Sequence, residues 1–126
     1  MPDALQGLRV LVVEDEFLVA LDIELMLRQC GCAVVGPIGD LATALRMAQE
    51  GGCDLALLDV NIGGQPVTEV AEALQAQAVP IVFCTGYQAG DLPERFAGAP
   101  TLRKPFQAVD VVAALQRAAA SAAGKA

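Results

Sequence analysis

The sequence predicts an α/β fold in which helices cover both faces of an open, parallel, five-stranded sheet. Two observations support this class: five short apolar runs, and stretches between and after them with apolar residues at spacings of three and four. The length of 126 residues is that of one domain. A closed barrel of this type needs about 250 residues. We therefore expect a doubly wound (βα)5 sheet in a single domain spanning 1–126, with its core over about 8–118 and flexible ends.

Five strands are predicted by the apolar runs. They cover residues 8–13, 33–35, 55–58, 81–84 and 101–103. The second run ends at Gly36-Pro37, a pair that is typical of turns. Short apolar strands that alternate with helical segments are typical of parallel sheets, because each crossover helix returns the chain to the same edge.

Five helices are predicted between and after these strands. The second begins at Asp40, which can cap it, and ends at Gly51. The fourth lies within residues 86–98, where Pro93 suits a first helical turn. The first, third and last carry apolar residues that we interpret as core faces: Leu18, Leu21 and Leu25; Val67, Val70, Ala71 and Leu74; Val109, Val112 and Leu115.

The composition excludes several classes of function. The chain has no histidine, so it holds no Ser-His-Asp or Cys-His nucleophile, no histidine-ligated zinc and no phosphohistidine. It has 15 acidic against 8 basic residues, and Arg103-Lys104 is its only adjacent basic pair. Binding to a nucleic-acid backbone needs several clustered cations, so we expect no nucleic-acid partner.

Membrane and secretion signals are also missing from the sequence. The longest uncharged run, residues 73–90, is interrupted by Pro80 and three glutamines, so no membrane span is expected. The first ten residues lack a basic start followed by an apolar block, and we expect a cytoplasmic protein. The cysteines agree with that compartment as reduced core or loop residues rather than a zinc site: Cys30, Cys32, Cys53 and Cys84.

Functional groups stand where the predicted strands end. They are Glu14 and Asp15 after the first strand, Asp59 after the third, Thr85 after the fourth and Lys104 after the fifth. In open α/β sheets the ligand site lies at this edge. Three carboxylates and one ammonium sum to −2, which favours a hard divalent cation such as Mg²⁺. A carboxylate beside that cation could act as a nucleophile toward a phosphoryl group.

The chain resembles the receiver domain of two-component response regulators over residues 8–116. The matching segments are Val-Val-Glu-Asp-Glu at 12–16, Leu-Leu-Asp-Val-Asn at 57–61, Phe-Cys-Thr-Gly-Tyr at 83–87 and Arg-Lys-Pro-Phe at 103–106. The resemblance implies a flavodoxin-like strand order of 2-1-3-4-5.

The resemblance also implies a role for each site residue. Asp59 would be the phosphoacceptor and a Mg²⁺ ligand. Asp15 would bind Mg²⁺ directly, Glu14 through water, and Asn61 through its backbone carbonyl. The remaining two residues would contact the phosphoryl group: Thr85 through its hydroxyl and Lys104 through its ammonium. The Lys104-Pro105 peptide bond is usually cis in the family.

Two departures from the family concern conformational switching. Many receivers carry an aromatic residue three positions before the lysine, where this chain has Thr101. Tyr87 instead lies two positions after Thr85, with Gly86 between them. The F-x-T-G-Y pattern resembles a subgroup of mostly single-domain receivers, often paired with kinases of the HWE/HisKA2 type. We therefore take Tyr87, Gly86 and Thr101 as the switch candidates. In the loop after Asp59, Gly63-Gly64 stands where many receivers have a proline and an acidic residue, and we expect more backbone freedom there.

Two charged neighbours of the site are expected to have ordinary roles. Glu16 begins the first helix near its positive end, where capping is favoured over metal binding. Arg103 is expected to be a solvated neighbour of Lys104 rather than a second phosphate ligand.

Three functions fit these residues. The favoured one is a stand-alone receiver that accepts a phosphoryl group on Asp59 from a sensor histidine kinase or phosphotransfer protein, and signals through a protein partner. It would catalyse only its own phosphorylation and dephosphorylation. The alternatives are an interaction module independent of phosphorylation or a phosphate sink, and an aspartate-based phosphatase. Such phosphatases typically use D-x-D, whereas the third position here is Asn61.

Overall fold

The parallel sheet has the strand order expected from the sequence. A computed structural model describes residues 5–86 and 94–124. Its strands are β1 (Arg9–Val13), β2 (Ala33–Ile38), β3 (Leu55–Asp59), β4 (Asn61–Ile62), β5 (Gln65–Pro66), β6 (Ile81–Thr85) and β7 (Thr101–Arg103). The main sheet runs β2-β1-β3-β6-β7 with all pairs parallel, which is 2-1-3-4-5 when only its own strands are counted. The predicted fold class and strand order are confirmed.

The described residues contain four α-helices rather than the expected five. They are α1 (Phe17–Gln29), α2 (Leu41–Glu50), α3 (Thr68–Ala76) and α4 (Ala108–Gly124). The helix expected within 86–98 falls largely on residues 87–93, which lie outside the described residues, and the described part holds a 3₁₀ turn, Glu94–Phe96. Pro93 lies outside the described residues. No helix in the described ranges has both the length and the apolar run that crossing a bilayer requires.

The core consists of two apolar layers, one on each face of the sheet. Alternate residues of β1 and β3 point to opposite layers, as the two-residue period of a strand requires. One layer packs α2 and α3 against Leu11, Leu58 and Phe83. The other packs α1 and α4 against Val10 and Leu57. Helices therefore cover both faces, and the strand ends remain at the edges.

The apolar face predicted for α1 was wrong. The helix buries Ala20, Ile23 and Leu27. The residues expected to be buried are exposed: Leu18 (75%), Leu21 and Leu25. Apolar residues occur almost all round this helix, so helical spacing by itself could not select the face that packs. The result is an exposed apolar strip on α1.

A similar difference occurs in α4, where Val109 is 67% exposed. Leu115 is buried as expected, and its buried neighbours in the helix are Val111, Ala114 and Ala118. The face predicted for α3 is confirmed, because its four named residues are all buried: Val67, Val70, Ala71 and Leu74.

The second strand continues through the expected turn at Gly36-Pro37. The register of β1 against β2 shifts between Leu11 and Val13, which marks a bulge. Gly36 has φ +104°, and a Cβ there would lie 2.9 Å from the nitrogen of Ile38, so only glycine fits. An edge strand tolerates proline because one side needs no ladder hydrogen bond. The extension lets Ile38 accept a hydrogen bond from the Glu14 amide at 2.9 Å.

Replacing Phe83 by alanine is expected to lower the free energy of unfolding by about 3–5 kcal/mol. The ring is fully buried and meets Phe96 edge to face with centroids 5.6 Å apart. Urea denaturation should measure the loss. The matched control, Val109→Ala at an exposed position, should change stability by no more than about 0.5 kcal/mol. Equal losses in the two variants would contradict the packing described.

Candidate functional site

The predicted site residues lie at one edge of the sheet. Glu14 follows β1, Asp59 ends β3, Thr85 ends β6 and Lys104 follows β7. These four strands are parallel neighbours, so their carboxyl ends meet at the same edge. The register pairs Asp59 with Cys84 and Thr85 with Arg103. The sheet therefore collects groups that are up to 90 residues apart in the chain.

Lys104 is the centre of the polar contacts. Its Nζ lies 2.7 Å from Oε1 of Glu14 and donates to Oδ2 of Asp59 at 2.9 Å. Its backbone amide donates to the Thr85 carbonyl at 2.8 Å, which fixes the start of the loop beside β6. The Lys104-Pro105 peptide bond is cis, as expected from the resemblance.

Burial and charge act on the pKa values of this cluster in opposite directions. Glu14 is only 3% exposed, and desolvation raises its pKa to about 7, although the contacts with Lys104 and with the Glu16 amide lower it. The pKa of Lys104 is raised: burial would lower it, but the carboxylates of Glu14 and Asp59 outweigh that effect. Lys104 therefore remains an ammonium at neutral pH, whereas the charge of Glu14 is costly.

The carboxylates suit a divalent cation. Glu14, Asp15 and Asp59 each offer an oxygen, and these atoms all lie within 4.8 Å of one another. The buried Oε1 of Glu14 has no hydrogen-bond partner, because its contact with Lys104 has the distance of an ion pair without the angles of a hydrogen bond. A cluster of carboxylate oxygens with unused acceptor capacity fits Mg²⁺, which takes oxygen ligands and retains waters.

A short hairpin joins the acidic cluster from the loop after β3. Asn61–Ile62 pairs antiparallel with Gln65–Pro66. The turn is Gly63-Gly64, with φ of +58° and +81°, values that glycine adopts at little cost. The amide of Gly63 donates to Oδ2 of Asp15 at 2.9 Å. Sequence reasoning missed this contact, since the two glycines indicated only a loop of unusual backbone freedom.

Asn61 also contacts the site through its backbone. Its amide donates to Oδ1 of Asp59 at 3.2 Å. Together with Lys104, which binds the other oxygen, this bond orients the carboxylate of Asp59 from two sides. The expected contribution of Asn61, its carbonyl, stays a prediction.

The hydroxyl and switch candidates make fewer contacts with the cluster. Thr85 is buried, and its hydroxyl donates to the carbonyl of the half-buried Gly86 at 3.0 Å. Thr101 is exposed at the start of β7, and its hydroxyl donates to the carbonyl of Ala99 at 3.3 Å, away from the carboxylates. Tyr87 lies outside the described residues.

Glu16 does not cap α1 with its side chain, contrary to expectation. It occupies the N-cap position, but no cap hydrogen bond forms. Its Oε1 instead accepts from Nζ of Lys104 at 3.4 Å. In the sequence, Glu16 is visible only as a third acidic residue directly after Glu14-Asp15. It was interpreted as a helix cap because Lys104, the residue it contacts, lies 88 positions away in the chain. Arg103 is exposed, as expected.

A thiol also lies next to the site. Cys84 is buried between Phe83 and Thr85, and burial raises its pKa to about 12. At neutral pH it is protonated, so it is a poor nucleophile. The thiol is therefore not a candidate nucleophile at this edge.

The chain belongs to the receiver domains of response regulators. The family model for the response regulator receiver domain matches residues 10–116. Transcriptional regulatory protein PdtaR of Mycobacterium tuberculosis is 36% identical over 120 residues, 92% of this chain and 58% of its own. Phyllosphere-induced regulator PhyR of Methylorubrum extorquens is 31% identical over 118 residues, which cover 86% of this chain and 42% of PhyR. The chain thus spans about half the length of these curated relatives.

Solved structures agree with this family. SdrG from Sphingomonas melonis Fr1 is 38% identical, with a TM-score of 0.77 and coverage of 93% of this chain and 97% of that one. The receiver domain of sensor histidine kinase PA1611 from Pseudomonas aeruginosa PAO1 is 26% identical, with a TM-score of 0.74. The match covers 90% of this chain and 98% of that domain. That structure contains a magnesium ion coordinated in its active-site cleft. Receiver domains bind Mg²⁺ in an acidic pocket and are phosphorylated by histidine kinases or phosphotransfer proteins.

The raised pKa of Glu14 predicts a pH dependence of stability in the presence of a chelator. Below about pH 4.5 the carboxyl is protonated in both states, and above about 7 it is ionised in both. Between these values the folded state holds a proton that the unfolded state has lost, so stability should fall as pH rises. At pH 8, Glu14→Gln should raise the free energy of unfolding by an amount on the order of 1 kcal/mol.

Urea denaturation from pH 4 to 8 would measure this difference. Glu24→Gln, which removes a half-buried carboxylate of α1 that pairs with Arg28, is the control and should not raise stability at pH 8. A wild-type protein whose stability is constant between pH 4.5 and 7 would contradict the burial cost assigned to Glu14.

Proposed function

We propose that this chain is a receiver that accepts a phosphoryl group on Asp59 in a Mg²⁺-dependent reaction and signals through a protein partner. The observation that carries the proposal is the environment of the Asp59 carboxylate. One oxygen accepts from Lys104 at 2.9 Å and the other from the Asn61 amide at 3.2 Å. A buried carboxylate whose two oxygens are both held by hydrogen bonds, one of them from the ammonium of Lys104, is oriented for attack on phosphorus.

The transfer exchanges one bond for another. An oxygen of Asp59 bonds to phosphorus while the bond from phosphorus to the donor's imidazole nitrogen breaks. The imidazole leaves with the electron pair, and the product is an acyl phosphate. Lys104 would meet the charge on the transferred oxygens, and the Thr85 hydroxyl would turn from the Gly86 carbonyl to donate to one of them.

Glu14, Asp15 and Asp59, with the carbonyl of Asn61, would hold the Mg²⁺. When bound, the cation supplies positive charge that offsets the repulsion between carboxylates and phosphoryl oxygens. The amide of Gly63 orients the Asp15 carboxylate for this task.

The donor would be a phosphohistidine of a histidine kinase or a phosphotransfer protein. Because the chain carries no histidine, that phosphohistidine would lie on another protein. A groove of about 690 Å³ leads from the exposed strip of α1, including Leu18 and Leu25, to Lys104. An apolar surface beside the pocket suits a protein donor better than a small one. We propose one cytoplasmic domain over residues 1–126, without a nucleic-acid or membrane partner.

The subgroup is part of the proposal. Thr101 replaces the aromatic residue of many receivers, and the F-x-T-G-Y pattern at 83–87 favours a donor of the HWE/HisKA2 type. One solved relative, from Bartonella quintana, is described as the anti-anti-sigma factor PhyR. Another solved relative, 31% identical, is described as the PhyR stress response regulator, and signalling by this chain through a protein of a stress response would be consistent with both. The proposed switch positions stay Tyr87, Gly86 and Thr101.

Three other functions make different predictions. A phosphatase would turn over a small phosphate ester repeatedly, whereas Asn61 supplies no second carboxyl group as acid and base. A module independent of phosphorylation, for which the exposed strip of α1 offers a surface, would bind its partner equally as wild type and as Asp59→Asn, with and without a phosphodonor. A phosphate sink would accept the group and bind no output partner.

The proposal predicts that acetyl phosphate and Mg²⁺ add one phosphoryl group to the intact protein, as measured by mass spectrometry. Asp59→Asn should abolish the gain because the nucleophilic oxygen is lost. Glu50→Gln, at an exposed position on α2 that does not line the groove, should be labelled like the wild type. Labelling that persists in Asp59→Asn, or that needs no divalent cation, would contradict the proposal.

Lys104→Ala is expected to slow labelling about a hundredfold, because a preoriented charge that meets the transferred oxygens is removed. Its neighbour Arg103 is exposed, so Arg103→Ala removes the same charge without touching the carboxylates. Circular dichroism should show that both variants fold. If Arg103→Ala were slowed as much as Lys104→Ala, general surface charge rather than the contact with Asp59 would explain the rate.

A further inference from the structure

Three carboxylates surround the ammonium of Lys104, although two already suffice to hold it. An ammonium has three N–H donors. Glu14 and Asp59 approach from the buried side at 2.7 and 2.9 Å. Glu16 approaches at 3.4 Å from the solvent side. A phosphoryl oxygen that approaches Lys104 from the solvent side therefore competes with Glu16 for the ammonium.

Glu16 is the partner that can leave at least cost. Its side chain is 66% exposed, against 1% for Glu14 and 9% for Asp59. An exposed ion pair with a long contact contributes little, since water replaces it readily. Displacing either buried carboxylate would leave a charge without a partner in a desolvated site. Glu16 thus adds little to the placement of Lys104.

The position of Glu16 gives its charge another effect. It lies at the N-cap of α1 and, with Lys104 and Gly86, lines the groove that opens at the pocket. A phosphodonor that reaches Asp59 through this groove passes the carboxylate. The pocket carboxylates already exceed the single ammonium, so one more negative charge at its mouth repels an anionic donor.

We propose that Glu16 is a specificity-determining residue, which competes with the incoming phosphoryl group for Lys104 and disfavours small, highly charged phosphodonors. This inference rests on the proposed phosphorylation of Asp59. A protein donor can offset the displacement of Glu16 through contacts along the exposed strip of α1. A small donor makes no such contacts, so competition from Glu16 for Lys104 lowers the rate of its reaction without compensation.

The test compares two small donors at pH 7: acetyl phosphate, which is a dianion, and phosphoramidate, which is mainly a monoanion. The variant Glu16→Gln keeps the size of the side chain and removes its charge. We expect it to be labelled about three- to tenfold faster than wild type by acetyl phosphate, and less than about twofold faster by phosphoramidate. The acetyl phosphate difference should shrink as ionic strength rises.

The matched control is Glu24→Gln on the same helix, whose carboxylate pairs with Arg28 at 2.8 Å. It changes the net charge equally and should leave both rates at the wild-type level. A Glu16→Gln variant labelled at the wild-type rate, slowed, or accelerated equally by both donors would overturn the inference. So would an equal acceleration in Glu24→Gln.

These outcomes are separate from a failure of the proposed function. If wild type gains no phosphoryl group from either donor, or gains it with Asp59 replaced, the proposed function and this inference both fail. If wild type is labelled on Asp59 but the rates do not depend on Glu16 and donor charge, only the inference fails.

Discussion

The ion pair between Lys104 and the buried carboxylates of Glu14 and Asp59 is the interaction on which the site depends. Two desolvated carboxylates repel each other, and Lys104 supplies the opposite charge at 2.7 and 2.9 Å. Burial nevertheless raises the pKa of Glu14, so the ammonium does not offset the whole cost of desolvating that carboxylate. The cluster therefore retains affinity for further positive charge. Cation binding and the attraction of phosphoryl oxygens to Lys104 have this same electrostatic origin.

The sheet makes that cluster possible because its two apolar layers bury the strands on both faces and leave only their ends for polar groups. Glu14 follows β1, Asp59 ends β3 and Lys104 follows β7. Backbone hydrogen bonds add precision: the bulged end of β2 accepts from the Glu14 amide, and Thr85 accepts from the Lys104 amide. Stability and function are thus connected through the register of the sheet.

Much of the site was predictable because polar residues at the ends of apolar runs are easily recognised. Asp59 and Lys104 were placed correctly from this rule alone. The roles of Glu16 and Gly63 were not, since each contacts a residue far away in the chain. Glu16 had a local explanation as a helix cap, and Gly63 acts through a backbone amide that every residue possesses. The sequence contained no pattern that distinguishes these contacts from ordinary ones.

The sequence by itself determined the order of elements, the parallel sheet and the set of chemical groups at its edge. Those properties follow from local periodicity and from the short range of backbone hydrogen bonding. Only the tertiary structure decided which side of α1 is buried, because Leu18 and Ile23 are equally apolar and only packing distinguishes them. It also decided which carboxylates share Lys104, because contacts between residues distant in the chain depend on how the strands align.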